Sequence, residues 1–161
     1  MEIEKKYLVS KLPDNLSDYL AVELEQCYLS SSPTIRIRKK NEDYILTYKN
    51  RIKPSVKDVR LCVSDEVELP LTKESYEHLR KKADGKQITK TRYLIPYEGY
   101  RIELDVFHGD YEGFYLAEVE FETEEQSTRF LPPEWFGEDV SGDYHYTNSY
   151  LSSREARFPI R

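Results

Sequence analysis

The feature that most constrains this chain is a two-residue alternation of charged and apolar side chains that recurs in segment after segment. Thr34 to Lys39 sets Ile35 and Ile37 against Arg36 and Arg38. Glu2-Ile3-Glu4-Lys5-Lys6-Tyr7, Glu66-Val67-Glu68-Leu69, Arg101-Ile102-Glu103-Leu104-Asp105-Val106 and Glu118-Val119-Glu120-Phe121 carry the same period. Side chains two apart share one face of a strand. Each segment is therefore a strand with one charged and one apolar face, and the fold is mainly β.

Strands are predicted at Ile3 to Val9, Val22 to Leu29, Thr34 to Lys39, Tyr44 to Asn50, Val59 to Leu69, Ile88 to Pro96, Tyr100 to Phe107 and Phe114 to Glu122. Asn41-Glu42-Asp43 and Glu98-Gly99 read as hairpin turns, and Ser30 to Pro33 as a further turn. Pro13 opens a short turn or one-turn helix through Leu16 and Tyr19. Pro54 marks Ile52 to Val56 as a loop. The clearest helix is Thr72 to Ala83, with Thr72 as N-cap, a stripe of Tyr76, Leu79 and Ala83, and Gly85 as its stop. The tail from about 124 reads as helical or irregular, broken at Pro132-Pro133.

At 161 residues the chain is expected to form one domain, 1–161, long enough to bury a core. Aromatic residues are 13% of it, which argues for ordered β-structure rather than disorder. The net charge of −6 disfavours a duplex-binding protein, which needs a basic face. Cys27 and Cys62 lack metal-type spacing and read as reduced, buried thiols of a cytoplasmic protein. The charged opening from Glu2 does not read as a signal peptide, and no apolar run reaches membrane-span length.

Charge is segregated by strand. Glu2, Glu4, Glu103, Asp105, Glu118 and Glu120 are acids, while Arg36, Arg38, Lys49, Lys90 and Arg92 are bases. Taken singly, each segment is explained by one solvated sheet face. Taken together, they allow a closed barrel with the charged faces inward. Carboxylates about 4 Å apart repel by roughly 4 kcal/mol at an effective dielectric near 20. Such acids must be protonated, paired with bases or bound to a cation, and oxygen-only ligands suit Mg²⁺ or Mn²⁺. The Arg and Lys set suits a polyanion.

Glu2-x-Glu4-x-Lys6 resembles the E-x-E-x-K signature of the CYTH superfamily, the triphosphate tunnel metalloenzymes. Ile35-Arg36-Ile37-Arg38, Thr47-Tyr48-Lys49, Lys90-Thr91-Arg92-Tyr93, Glu103-Leu104-Asp105 and Glu118-Val119-Glu120-Phe121 follow in the family's order. The tail segments Pro133-Glu134-Trp135-Phe136-Gly137 and Tyr146-Thr147-Asn148 are similar to the short bacterial members. The resemblance implies an α+β fold, mainly β: a closed eight-stranded antiparallel tunnel with a charged lumen and helices outside. It implies Glu2, Glu4, Asp105, Glu118 and Glu120 as metal ligands and Lys6, Arg36, Arg38, Lys49, Lys90 and Arg92 as triphosphate-binding residues. Glu103, Glu66, Glu68 and Arg60 are further candidates.

The implied activity is divalent-metal-dependent hydrolysis of inorganic triphosphate to diphosphate and phosphate, with Lys6 and Glu4 at the chemistry. Water would attack a terminal phosphorus in line, and Lys6 would polarise or protonate near the scissile bridge. A class IV-type adenylate cyclase or a thiamine triphosphatase are the enzymatic alternatives. A polyphosphate- or nucleotide-binding module is the non-enzymatic one, disfavoured by the two Glu pairs. His78, His108 and His145 have no metal spacing and read as structural or exposed. Tyr144, Tyr146 and Tyr150 read as packing for a terminal helix. The expected partner is a small polyphosphate; oligomeric state is not legible.

Overall fold

A computed structural model describes residues 1–54 and 60–158. Nine strands are present among them: β1 Glu2–Val9, β2 Leu20–Ser31, β3 Thr34–Lys40, β4 Asp43–Ile52, β5 Cys62–Leu71, β6 Asp84–Tyr97, β7 Tyr100–Phe107, β8 Tyr115–Phe121 and β9 Phe136–Asp139. Three α-helices accompany them: α1 Lys73–Arg80, α2 Glu124–Arg129 and α3 Asn148–Ser152. Every pairing is antiparallel, in the order β5-β4-β3-β2-β6-β7-β8-β1, and β1 returns to β5 to close an eight-stranded barrel. Closure leaves these strands without a long unpaired edge.

Local chemistry sets the turns. Glu98 and Gly99 both have positive φ, 45° and 82°, the geometry of a two-residue I′ hairpin between paired Tyr97 and Tyr100. Asn41, at φ 51°, turns β3 into β4, and its backbone and side chain both bond the backbone of Glu23. Thr72 Oγ1 accepts from Ser75 N and caps α1.

Two expectations are corrected. Helix α1 stops at Arg80, and Gly85 lies in β6 rather than at a helix end. Its φ of +77° suits glycine, and a Cβ there would stand 2.2 Å from Ser152 O. The tail is not only helical or irregular: β9 pairs with β1 through Tyr7 and Val9. Position 59, where a strand was expected to start, and positions 55 and 56 of the expected loop lie outside the described residues.

Apolar faces point outward, as parity requires. Ile3, Tyr7, Ile102, Leu104, Ala117, Val119 and Phe121 form one buried layer, covered by Phe130 and Phe136 of the tail. Tyr76 of α1 covers Cys27 and Ile37. Cover is incomplete over β4 and β5, where Tyr48, Val67 and Leu69 are exposed. At one end of the barrel the inward row itself turns apolar. Ile88, Phe107 and Leu116 share the face of the lumen charges, and Leu151 of α3, Val140 and Ala156 pack on them. That end is closed by the C-terminal segment. Among the described residues no helix is long and apolar enough to cross a membrane.

Candidate active site

A cavity of about 330 Å³ occupies the lumen. Twelve of the fifteen residues singled out from sequence line it: Glu2, Glu4, Lys6, Arg36, Arg38, Lys49, Glu66, Glu68, Arg92, Glu103, Glu118 and Glu120. Strand register explains the convergence. Glu4 faces Glu120 and Lys6 faces Glu118 across β1 and β8, while Lys49 faces Glu66 across β4 and β5. Directly opposed residues share a face.

The acids cluster around Lys49. Its Nζ is 2.5 Å from Glu2 Oε1, 3.5 Å from Glu4 Oε1 and 3.8 Å from Glu66 Oε2. Burial and the neighbouring Glu118 raise the Glu4 carboxyl to about 8, against the attraction of Lys49 and Lys6. Burial, then Glu2, Glu103 and Glu66, raise Glu120 as well. Burial would also raise Glu118, but Lys6, Arg92, Lys90 and Lys49 outweigh it and hold that carboxyl well below the usual range.

The bases form the opposing wall. Gln26 Oε1 accepts from Arg38 Nε at 3.1 Å and Nη2 at 2.9 Å. Burial, then the guanidiniums of Arg36 and Arg92, lower Arg38 to about 9, so this wall carries positive repulsion that an anion relieves. Arg36 Nη2 donates to Thr47 Oγ1, while its buried Nε has no partner among the described residues. Arg92 is paired with Asp105 at 2.7 Å and with Glu103. Lys6 Nζ donates to Tyr146 O at 3.1 Å and stands 3.7 Å from Glu118. Burial lowers the Lys6 ammonium, but Glu118 and Glu4 win and raise it.

Three candidates fall elsewhere. Asp105 is fully buried and off the cavity wall, with Oδ2 at 2.6 Å from Lys90 Nζ and 2.9 Å from Arg92 Nη2. Both its oxygens are taken by bases, so it orders the basic wall. Lys90 is equally buried and also off the wall. Arg60 is exposed, donates to Asp139 O at 2.6 Å, and does not line the lumen. Sequence reading missed Tyr28, Thr34, Lys40, Arg51, Ser64 and Arg101 on the wall, together with Thr147, Asn148 and Ser149. Strand parity carried a signal for Lys40 and Arg51, each two residues beyond a chosen base; Thr147 and Asn148 carried only the family resemblance of their segment, and Ser149 carried none.

All the lining carboxylates are hard oxygen donors, the set that suits a small divalent cation. Burial first, and then neighbouring carboxylates, raise Glu4 and Glu120. Among the described residues, however, no three side chains are already arranged as a metal cage. The chemistry fits a cation, and Lys49 stands where the acids converge.

The chain is 36% identical over 156 residues to an inorganic triphosphatase of Nitrosomonas europaea, covering 94% of this chain and 96% of that one. The chain belongs to the inorganic triphosphatase family of the CYTH superfamily. An inorganic triphosphatase of Acetivibrio thermocellus is 32% identical over 151 residues, covering 93% of this chain and 92% of the relative. The crystal structure of the inorganic triphosphatase NE1496 superimposes with a TM-score of 0.67 at 34% identity, covering 94% of each chain. A Hippeastrum protein described as a candidate adenylyl cyclase that reveals a dominant triphosphatase activity shares the fold, with a TM-score of 0.58 at 19% identity, over 80% of this chain and 83% of that one. No family model matches the chain.

Proposed function

We propose that this CYTH protein hydrolyses inorganic triphosphate to diphosphate and phosphate with the help of a divalent cation. The observation that carries the reading is one closed lumen in which Glu2, Glu4, Glu118 and Glu120 stand across from Arg36, Arg38 and Arg92. The two relatives above 30% identity are both named inorganic triphosphatase. The cyclase-like neighbour, at 19%, supports only the fold, so cyclase and thiamine triphosphatase readings are not favoured.

Glu2, Glu4, Glu118 and Glu120 are the residues to hold the cation, and Mg²⁺ or Mn²⁺ suits their oxygen-only chemistry. Bound there, such a cation supplies Lewis-acid polarisation of phosphate oxygens. Arg36, Arg38, Arg92 and Lys49 bind the phosphate chain and offset charge developing on the leaving diphosphate. Lys6, kept cationic by its carboxylate neighbours, donates a hydrogen bond to the scissile bridge. It is a donor there and not a base. Asp105 orients Arg92 through two hydrogen bonds. We read the protein as cytoplasmic, because Cys27 and Cys62 are both free thiols.

Phosphate release from tripolyphosphate, ATP, thiamine triphosphate and diphosphate, with Mg²⁺, Mn²⁺ or chelator, tests this. Fast release from tripolyphosphate alone, abolished by chelator, is expected. Cyclic AMP from ATP would replace the reading with a cyclase, and no release from any compound would replace it with a binding module. Glu4→Gln is expected to lose at least about 100-fold in turnover, since removing even a partner of a metal ligand costs up to that. Wild-type rates in that variant would remove Glu4 from the metal set.

A further inference from the structure

Glu103 and Glu118 are directly opposed across β7 and β8, and both line the cavity. Like charges in that relation are destabilising, so each needs cationic partners of its own. The two carboxylates meet different ones. Glu118 Oε1 stands 3.7 Å from Lys6 Nζ. Glu103 Oε2 is in ion-pair contact with Arg92 Nη1, and its Oε1 accepts from Arg101 Nη2 at 3.3 Å. Each oxygen of Glu103 therefore has its own guanidinium. Among the described residues, Glu2, Glu4 and Glu118 meet lysine through Oε1 alone. A cation that took Glu103 would have to stand against two guanidiniums.

Seen from Arg92, the arrangement is a clamp. Asp105 accepts from Nε at 2.7 Å and from Nη2 at 2.9 Å, while Glu103 meets Nη1. All three guanidinium nitrogens thus face a carboxylate, and a planar group is held at two separate points. Each terminal nitrogen carries two N–H groups. One on Nη1 and one on Nη2 remain when each nitrogen meets a single oxygen. Two such donors on one plane match two oxygens of one phosphate. Burial works against the Arg92 charge, but Asp105 and then Glu103 outweigh it. The series continues outward along β7, away from Phe107 and the closed end. Arg101 is 61% exposed there, against 17% for Glu103 and 14% for Arg92.

We propose that Glu103 is a positioning residue for the substrate and not a ligand of the cation: with Asp105 it clamps the Arg92 guanidinium in the plane that receives a substrate phosphate, and Arg101 holds the Glu103 carboxylate in place. The inference rests on the triphosphatase reading above. It divides the opposed acids of β7 and β8 by task. Glu118 belongs to the cation and Glu103 to the arginine, although both line one cavity. A free guanidinium on a long side chain would search many orientations before meeting a phosphate. One held by two carboxylates has most of that freedom removed in advance.

Two substitutions at this position lose the same charge and differ in one respect. Glu103→Gln keeps a carbonyl oxygen for Arg92, and Glu103→Ala does not. Mn²⁺ binding to substrate-free protein, calorimetric binding of tripolyphosphate to chelator-treated protein, and thermal unfolding would be measured for each. Mn²⁺ affinity is expected to stay within about threefold of wild type in both, whereas loss of a ligand or its direct partner costs about tenfold or more. Tripolyphosphate is expected to bind Glu103→Gln about threefold to tenfold more tightly than Glu103→Ala, the worth of one hydrogen bond. In an Arg92→Ala background that difference should vanish, because Glu103 acts through Arg92. A loss of Mn²⁺ affinity of about tenfold in Glu103→Gln would return Glu103 to the metal set. Equal tripolyphosphate affinities of the two variants, or a difference that persists without Arg92, would overturn the clamp and leave the triphosphatase reading standing. If Glu103→Ala fails to fold, the Mn²⁺ affinity of Glu103→Gln decides alone. If the wild type neither binds nor hydrolyses tripolyphosphate, the triphosphatase reading falls and the clamp's role falls with it.

Discussion

Lys90 Nζ lies 2.6 Å from Asp105 Oδ2, and neither side chain is exposed to solvent. The pair stands behind the basic wall, with Arg92 on the other side of the carboxylate. Asp105→Asn would leave two buried cations without their counter-charge. Breaking a buried pair in this way costs about 3–5 kcal/mol, and a loss of that size in urea unfolding is expected. Burial works against the Asp105 carboxylate, but Arg92 and Lys90 outweigh it and lower its pKa. Its contribution is therefore complete above the unfolded value of about 3.9. It is lost as pH falls through the lower folded value. The stability gap between wild type and Asp105→Asn should begin to narrow below about pH 4 and close only below the lowered folded value.

Lys49 sits among Glu2, Glu4 and Glu66. It is both a phosphate donor and a competitor for the acids. Lys49→Met should raise KM for tripolyphosphate by about tenfold or more, the worth of a charge-assisted hydrogen bond. The same variant should bind Mn²⁺ more tightly in the absence of substrate, because three carboxylates lose their resident cation. Titration of free Mn²⁺ by magnetic resonance reads the second effect. Weaker Mn²⁺ binding in the variant would sink the competition argument.

Gln26 is fully buried, accepts twice from Arg38 and donates to Tyr28 Oη at 3.0 Å. It aims a guanidinium that burial and two neighbouring arginines would otherwise push aside. Gln26→Met should raise KM by about threefold to tenfold with kcat nearly unchanged. Gln26→Glu keeps the acceptors but cancels the charge, and should weaken tripolyphosphate binding further. A kcat loss without a KM change would show that Gln26 serves the reaction step instead.

Gly85 admits Ser152 O where any Cβ would stand 2.2 Å from it. The obstacle is backbone, so no rotamer relieves it. Gly85→Ala should destabilise by more than about 1 kcal/mol, the scale of an incompatible glycine replacement. It should also loosen α3, read as faster proteolysis beyond residue 146 at temperatures where the barrel remains folded. Equal cleavage rates would mean that α3 is held by its other bonds alone.

Strand parity made the two faces of nearly every strand legible, and this grouped the cavity residues before any coordinates. It could not say which face was inside. Closure is decided by the pairing of Glu2, Ile3 and Glu4 with Ser64, Val63 and Cys62, a non-local event that no local pattern reports. Parity also failed to separate Asp105 from Glu103, which share a face. Depth along the barrel divides them, and depth depends on where the lumen turns apolar at Phe107 and Leu116. The end wall at Thr147 to Ser149 was illegible as part of the site because it is the capped start of a helix of only five residues, too short to show a period.

The shared edge of β1 has a consequence for how the molecule comes into being. Its partners are β5, β8 and β9, all distant in sequence, so β1 finds its place only after those later strands are present. Contacts of such separation make folding slow and leave an early strand waiting. While it waits, Glu2, Glu4 and Lys6 remain in water and no lumen exists. A newly made chain therefore acquires its barrel and its polyanion site in a single event, and a half-folded chain has no partial version of the site.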